Sequence, residues 1–259
     1  MLHALTRNKS KLHERYLGHR ESGEKKVSEE DEITALIMGP LAFLPSGAIG
    51  SFWKALLKDV PSNLFPDESV TDAQMTFWPR ADWTRVEPDL RVDLSWESKK
   101  LTLLIEFKWR APLSGRDQLH RQWNEYLLSH ERQRALHLFI APDISAGLAA
   151  REQDDIWGDQ LILRSWFDIL NVMQDGLAGP EHIQLQRWKK EVIDCLQKLS
   201  IHPLGGFQRI SPPAQPVAPA EVFWKGFHGF AGMARLDPPA SLVNLSDTIF
   251  FRSQGADLG

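Results

Sequence analysis

Two neighbouring apolar runs carry charged residues in their interiors, and this placement constrains the fold more than any other feature. Residues 86–94 read Val-Glu-Pro-Asp-Leu-Arg-Val-Asp-Leu, and residues 103–109 read Leu-Leu-Ile-Glu-Phe-Lys-Trp. Burying a charge within an apolar run is costly unless a metal ion or a charged partner compensates it. The sequence therefore predicts that these runs combine buried strands with a charged site.

A β-hairpin explains how the two runs are connected. Residues 90–95 alternate apolar and polar side chains, as in a half-buried strand, and residues 101–109 suit a strand buried on both faces. The polar residues 97–100 between them predict the turn. We expect the hairpin to be centred on Ser98-Lys99.

This turn position determines which side chains meet. It places Asp89 opposite Lys108 and Arg91 opposite Glu106. The two-residue period of a strand then puts both aspartates, Asp89 and Asp93, on the face that carries Glu106 and Lys108. The predicted register favours Asp89 over Asp93 as the acid that joins the Glu106–Lys108 pair.

The rest of the chain alternates helical and strand patterns. Periodicity predicts helices near 28–41, 51–58, 115–130, 167–173 and 180–199, and strands at 135–141 and 161–166, with 75–83 as an extra strand or a cover. Strands that alternate with helices after a hairpin indicate an α/β fold. We expect a three-layer sandwich, in which helices flank a mixed central sheet.

The length of the chain fits one large domain or one domain with a smaller appendage. Residues 1–27 are basic, and they form either a peripheral arm or an arm that contacts a phosphate backbone. Residues 28–205 make the main domain. Residues 206–259 contain a Pro-rich connector and an aromatic tail, which we expect to pack back on the main domain. The alternative for this tail is a contact surface for DNA or a protein partner.

Composition excludes several classes of protein. No apolar run of about 18 residues is present to span a membrane, and the N-terminus lacks the pattern of a secretory signal, so we expect a cytoplasmic protein. The single cysteine, Cys195, excludes an intramolecular disulfide and a four-cysteine zinc or iron–sulfur site. The nine histidines form no ligand motif, and they are expected to be structural or solvated. No phosphate-binding loop is present, so ATP hydrolysis would require a partner.

Carboxylates beside a lysine suit a hard divalent cation, because carboxylates are oxygen ligands that stay ionised at neutral pH. Asp89 and Glu106 are the predicted ligands, and the backbone carbonyl of Phe107 is a further candidate. Lys108 lies on the same face, where its amine would orient a water molecule or stabilise negative charge on a phosphate. The alternative is a cross-strand salt bridge between Lys108 and either acid.

The order of these elements resembles the PD-(D/E)XK nuclease superfamily. Pro88-Asp89 resembles the Pro-Asp element of that family, and Glu106-Phe107-Lys108 resembles its Glu-x-Lys element. The resemblance implies that Asp89 and Glu106 bind the metal and that Lys108 is the catalytic lysine. It also implies a restriction-endonuclease-like core.

Two flanking helices extend the resemblance. Glu30 is similar to the acid that many members carry on the first core helix, and Glu32 is the competing assignment. Gln118, with Tyr126 on the same helix, is similar to the glutamine that follows Glu-x-Lys in many branches. The resemblance thus implies a catalytic set of Asp89, Glu106, Lys108, Glu30 and Gln118.

The family implies a DNA endonuclease that hydrolyses phosphodiester bonds with Mg²⁺ or Mn²⁺. We expect the nuclease subunit of a bacterial anti-phage defence or restriction system, with a helicase, an ATPase or another defence subunit as a partner; a homodimer is also open. One alternative is a catalytically inactive subunit for nucleic-acid binding or assembly. Another is a nuclease of DNA repair or recombination.

Overall fold

A computed structural model describes residues 1–19, 29–115, 117–177 and 183–202. Its strands are β1 (Asp72–Phe77), β2 (Leu90–Ser95), β3 (Lys100–Phe107), β4 (Ala135–Ala141) and β5 (Leu161–Ser165). Its α-helices are α1 (Leu2–Thr6), α2 (Leu12–Tyr16), α3 (Glu29–Met38), α4 (Ser46–Leu56), α5 (Gln118–Arg121), α6 (Ser129–Arg132), α7 (Ser145–Gln153), α8 (Trp166–Asn171) and α9 (Ile183–Lys198). Short 3₁₀ segments occupy Gly39–Phe43 and Gly158–Gln160, and π-helical segments occupy Gln122–Tyr126 and Val172–Gly176.

The five strands form one mixed sheet in the order β1-β2-β3-β4-β5. β1 and β3 each pair antiparallel with β2, whereas β3, β4 and β5 run parallel to one another. The predicted α/β fold with a mixed central sheet is therefore confirmed. The segment predicted as a strand or a cover over 75–83 contributes to the edge strand β1.

Helices cover both faces of β3, which explains why its sequence is apolar on both sides. Leu103 and Ile105 point into a large core that also contains residues of α3, α4, α8 and α9. Leu104 points to the other face, into a second core with Leu119 and Trp123. The molecule thus has the three layers that the sequence predicts, and Glu106 lies on the same face as Leu104 because it is two residues further along β3.

The described part of the predicted N-terminal arm is folded. Leu2, Leu5 and Tyr16 are buried in the large core. The Thr6 hydroxyl donates a hydrogen bond to Glu191 of α9 at 2.6 Å. Apolar side chains at helical spacing therefore outweigh the basic composition of residues 1–19. The predicted connector and tail, 206–259, lie outside the described residues.

The helix predicted over 115–130 is interrupted. α5 passes into the π-helical segment, after which Leu127 and Leu128 are extended and α6 begins. A π turn widens the helix and is frequently found at functional sites. Here it lies in the element that carries Gln122 and Tyr126 inward. No helix among the described residues has the length and apolar character needed to cross a membrane.

Candidate active site

The β2–β3 hairpin closes one residue earlier than predicted. Trp96 donates its amide N–H to the Lys99 carbonyl at 2.9 Å, so Glu97 and Ser98 form the turn. Leu90 pairs with Ile105, and continuing this register places Asp89 opposite Glu106.

The predicted pairing of Asp89 with Lys108 was therefore wrong. So was that of Arg91 with Glu106, because Arg91 pairs with Leu104. The error moves each partner by two residues, so every side chain keeps its predicted face.

Pro88 and Asp89 end the ladder between the two strands. Hydrogen-bonded and non-hydrogen-bonded residue pairs alternate along an antiparallel ladder. Continuing the register places Pro88 opposite Phe107, at a hydrogen-bonded position. Proline has no N–H to donate to the Phe107 carbonyl. The Phe107 N–H instead donates to Oδ2 of Asp89 at 2.7 Å. Pro88 thus leaves the Phe107 carbonyl without a hydrogen bond from β2. The Asp89 carboxylate lies beside it, in an orientation that the Phe107 N–H fixes.

Glu106 is buried, and three side chains donate hydrogen bonds to it. Its Oε1 accepts from Lys108 Nζ at 2.5 Å and from Gln118 Nε2 at 2.6 Å. Its Oε2 accepts from Gln122 Nε2 at 2.6 Å. The two glutamines are four residues apart, so one helical face presents both amides to the same carboxylate.

Helix α3 brings Glu30 into the same cluster. Lys108 Nζ donates to Glu30 Oε1 at 2.6 Å, and the backbone N–H of Trp109 donates to Glu30 Oε2 at 3.4 Å. Glu32 lies elsewhere, because it accepts a hydrogen bond from the Tyr16 hydroxyl at 2.9 Å and pairs with Arg15. Of the two predicted acids on this helix, Glu30 is the one that meets Lys108.

Asp93 lies on the same sheet face but belongs to another cluster. It accepts two hydrogen bonds from the Arg91 guanidinium, at 2.8 and 3.0 Å, and one from the Thr102 hydroxyl at 2.7 Å. Arg91 also pairs with Glu131 at 2.9 Å. The structure therefore joins Asp89, and not Asp93, to Glu106.

Burial and mutual repulsion destabilise the charged forms of both strand acids. Burial, followed by the negative charge of Glu106, raises the pKa of Asp89 to about 8. Burial also raises the pKa of Glu106, against the opposing effect of Lys108. Burial alone would lower the pKa of Lys108, but attraction to Glu106 and its hydrogen bonds to Glu106 and Glu30 raise it. One ammonium group thus neutralises these acids incompletely, and further positive charge would be favourable here.

The donor set distinguishes among metals. Among the described residues, no three His, Cys, Asp or Glu side chains are arranged to hold a metal ion. Mg²⁺ keeps several water ligands and usually takes only one or two carboxylates from a protein. The carboxylates of Asp89 and Glu106 and the Phe107 carbonyl fit that requirement.

Sequence reasoning missed two buried residues behind Gln122. The Gln122 Oε1 atom lies 3.1 Å from His137 Nε2, and the Trp157 indole N–H donates to His137 Nδ1 at 3.0 Å. His137 was expected to be structural or solvated, and it is a fully buried residue that is hydrogen-bonded to the glutamine that donates to Glu106. The available signal was an imidazole within the apolar run of β4, which pairs with the strand that carries Glu106.

Comparisons with known proteins identify little. The sequence matches no family model and no curated protein. Among solved structures, the chain is similar to the MspJI restriction endonuclease in complex with a 27-mer oligonucleotide, with a TM-score of 0.32 and 10% identity. That match covers 70% of this chain and 38% of the other, so this chain spans less than two thirds of its neighbour's length.

Proposed function

We propose that this chain is a metal-dependent phosphodiesterase that cuts DNA as an endonuclease. One observation carries the proposal: Glu106 and Glu30 share the single ammonium group of Lys108 at the end of β3, and a third acid, Asp89, lies beside them and accepts from the Phe107 N–H. A structural salt bridge needs one acid and one base. Three acids around one base, two of them with raised pKa values, favour a site that takes up a cation.

The residues have distinct roles in this proposal. Asp89, Glu106 and the Phe107 carbonyl would hold Mg²⁺ or Mn²⁺, which when bound supplies Lewis-acid polarisation of the phosphate and a more acidic water. Lys108 stays protonated because its pKa is raised, so it can stabilise negative charge on the phosphate oxygens. Glu30 orients the Lys108 amine through its hydrogen bond.

Gln118 has a supporting role. It donates one of the hydrogen bonds that hold the Glu106 carboxylate, and its own Oε1 accepts from the Ser114 backbone N–H at 2.6 Å. Gln118 therefore links the loop after β3 to the metal ligand. We assign it to ligand positioning within the catalytic set.

The resemblance of Pro88-Asp89 and Glu106-Phe107-Lys108 to PD-(D/E)XK nucleases supports DNA as the substrate. On the same basis we propose a role as the nuclease subunit of a bacterial restriction or anti-phage system, acting with a helicase or ATPase partner. A nuclease of repair or recombination shares the chemistry. Cleavage of linear, nicked and branched DNA by the purified chain separates the two roles.

Plasmid nicking tests the activity directly. The wild-type chain is incubated with supercoiled plasmid and Mg²⁺ beside Asp89→Asn and a matched Asp93→Asn control from the same strand. We expect Asp89→Asn to lose about 100-fold or more of the rate, in the range that loss of a charge-stabilising group produces, and Asp93→Asn to keep it. Equal nicking by wild type and Asp89→Asn would refute the assignment.

A second candidate is a catalytically inactive subunit that binds nucleic acid or assembles a complex. It is favoured by one observation: Lys108 already pairs with two acids, so the site is partly neutralised without a metal. Calorimetry with Mn²⁺ discriminates between the candidates. Heat of binding that Asp89→Asn abolishes supports the nuclease, and no heat from the wild type supports the inactive subunit.

A further inference from the structure

A chain of hydrogen bonds behind Glu106 can run in one direction only. The Trp157 indole can only donate, so His137 Nδ1, 3.0 Å away, must accept. The proton of a neutral imidazole then resides on Nε2, which donates to Gln122 Oε1. The amide nitrogen of Gln122 is left to face the Glu106 carboxylate, which can only accept while ionised.

His137 is held in the neutral form that this direction requires. It is fully buried on β4, and burial, with a smaller effect of His120, lowers its pKa to about 3. An imidazolium would donate from both nitrogens and would clash with the Trp157 N–H. Burial therefore removes the alternative in which His137 carries a charge.

The direction matters because a glutamine amide has two nearly isosteric ends. If the Gln122 amide were flipped, its oxygen would face the Glu106 oxygens in a buried site, where an unfavourable polar contact is costly. Nothing in the shape of the amide prevents that flip. The N–H of His137 opposes the flip together with the Glu106 carboxylate, because a flipped amide would also present NH₂ to another donor.

We infer that Trp157 and His137 are positioning residues, which fix the orientation of the Gln122 amide and through it the Glu106 carboxylate. Neither residue touches the reacting groups. The effect of these two residues on metal binding rests on the proposed function, whereas their effect on the orientation of the Gln122 amide does not. Groups that orient a metal ligand in this way are worth about 10- to 100-fold in metal affinity.

The chain offers a matched pair of variants. Trp157 and Trp123 are both buried in the same core, and both contact the His137 ring. Trp157 hydrogen-bonds to the imidazole, whereas Trp123 stacks on it at 5.9 Å with an interplanar angle of 11°. Trp157→Phe therefore removes a donor and packing volume, and Trp123→Phe removes similar volume alone.

The first measurement uses the metal-free full chain with ¹⁵N-labelled histidine and glutamine. NMR should show His137 with its proton on Nε2 in the wild type and in Trp123→Phe, with slowly exchanging Gln122 amide protons. In Trp157→Phe the two tautomers should mix and amide exchange should quicken. A wild-type His137 protonated on Nδ1, or the same spectral change in both variants, would overturn the inference.

The second measurement is the affinity for Mn²⁺ by calorimetry. Trp157→Phe and His137→Leu should each weaken binding by about 10-fold or more, and His137→Gln, which restores an N–H near the position of Nε2, should recover most of it. Equal weakening by Trp123→Phe would show that packing alone matters and would overturn the inference. A wild type that binds no Mn²⁺ contradicts the proposed metal site instead, and the NMR result then decides on the amide orientation alone.

Discussion

Two charged clusters lie on the same face of the β2–β3 hairpin, a few residues apart, and they differ in burial and in charge balance. The Arg91 cluster consists of Arg91, Asp93, Thr102 and Glu131. The Lys108 cluster consists of Glu30, Asp89, Glu106 and Lys108. Both combine acids with one base on neighbouring strands, so residue type alone does not separate them.

Burial and charge balance do separate them. In the Arg91 cluster the Asp93 side chain is 40% exposed, and a planar guanidinium satisfies both of its oxygens. In the Lys108 cluster the Glu106 side chain is 2% exposed, and one ammonium group pairs with two acids beside a third, Asp89. An incompletely neutralised, buried set of acids therefore marks the candidate site, whereas the more exposed, well-paired set has a structural role.

Removing the base from each cluster should give the largest difference in stability. Lys108→Met leaves buried acids without a positively charged partner, and we expect it to cost about 3–5 kcal/mol of unfolding free energy at pH 8. Arg91→Met leaves acids that water can reach, and about 1 kcal/mol is expected. Urea unfolding of both variants measures these values.

The pH dependence provides the control for this experiment. The raised pKa values of Asp89 and Glu106 mean that these acids take up protons readily when Lys108 is absent. The cost of Lys108→Met should therefore shrink between pH 8 and pH 5. A cost that stays constant over this range would show that the acids are not the source of the instability.

Neutralising the aspartate of each cluster should change stability in opposite directions. The pKa of Asp89 is about 8 in the folded state, against about 3.9 in an unfolded chain. Below about pH 3.9 the carboxyl is protonated in both states, and the wild type loses stability as pH rises from there to about 8. Asp89→Asn, which can still accept from the Phe107 N–H, should stabilise the metal-free protein by about 2 kcal/mol at pH 8 and progressively less at lower pH.

Asp93→Asn should instead destabilise the protein by about 1 kcal/mol, because it weakens the pairing with Arg91 and the hydrogen bond from Thr102. Thermal unfolding of both variants at pH 5 and pH 8, without metal, measures the two signs. Destabilisation by both substitutions would mean that Asp89 is as well paired as Asp93.

The contrast between the clusters also shows what the sequence can predict. The two-residue period of a strand assigned Asp89, Asp93, Glu106 and Lys108 to one face, and the structure agrees. The register was wrong because Glu97-Ser98 and Ser98-Lys99 are both plausible turns in a polar segment. The fold followed from helix and strand periodicity, which is local information.

Contacts distant in sequence required the structure. Glu30 and Glu32 lie in the same turn of α3, and only the packing of α2 against α3 shows that Glu32 meets Tyr16. The partner of His137 also required the structure, because an imidazole in an apolar run does not reveal which side chain it hydrogen-bonds to. The π-helical segment carries no sequence signal that periodicity could detect, since it differs from an α-helix by one residue per turn.

In each cluster a helix contributes one acid, which is Glu30 in the Lys108 cluster and Glu131 in the Arg91 cluster. Substituting these two acids should affect activity differently. Glu30→Gln weakens the orientation of Lys108 and should lower the rate of plasmid nicking by about 10-fold. Glu131→Gln removes a charge from the Arg91 cluster and should leave nicking within about twofold while lowering stability by about 1 kcal/mol. Single-turnover nicking and thermal unfolding of both variants measure these effects. Equal loss of activity would mean that Glu30 serves only stability.

The smallest expected difference between the two clusters is in how salt changes the stability cost of removing each base. Exposed charges are screened strongly between about 0.05 and 0.5 M ionic strength, whereas buried pairs are screened much less. The stability difference between the wild type and Arg91→Met should therefore fall by a few tenths of a kcal/mol over that range, because the Arg91 and Asp93 side chains are 23% and 40% exposed. The difference between the wild type and Lys108→Met should stay constant within error, since Glu106 and Lys108 are shielded from the ions. Urea unfolding at matched pH measures both differences, because urea is uncharged and leaves the ionic strength unchanged. Equal salt sensitivity would show that ions reach Lys108 freely and that the two clusters differ in charge balance alone.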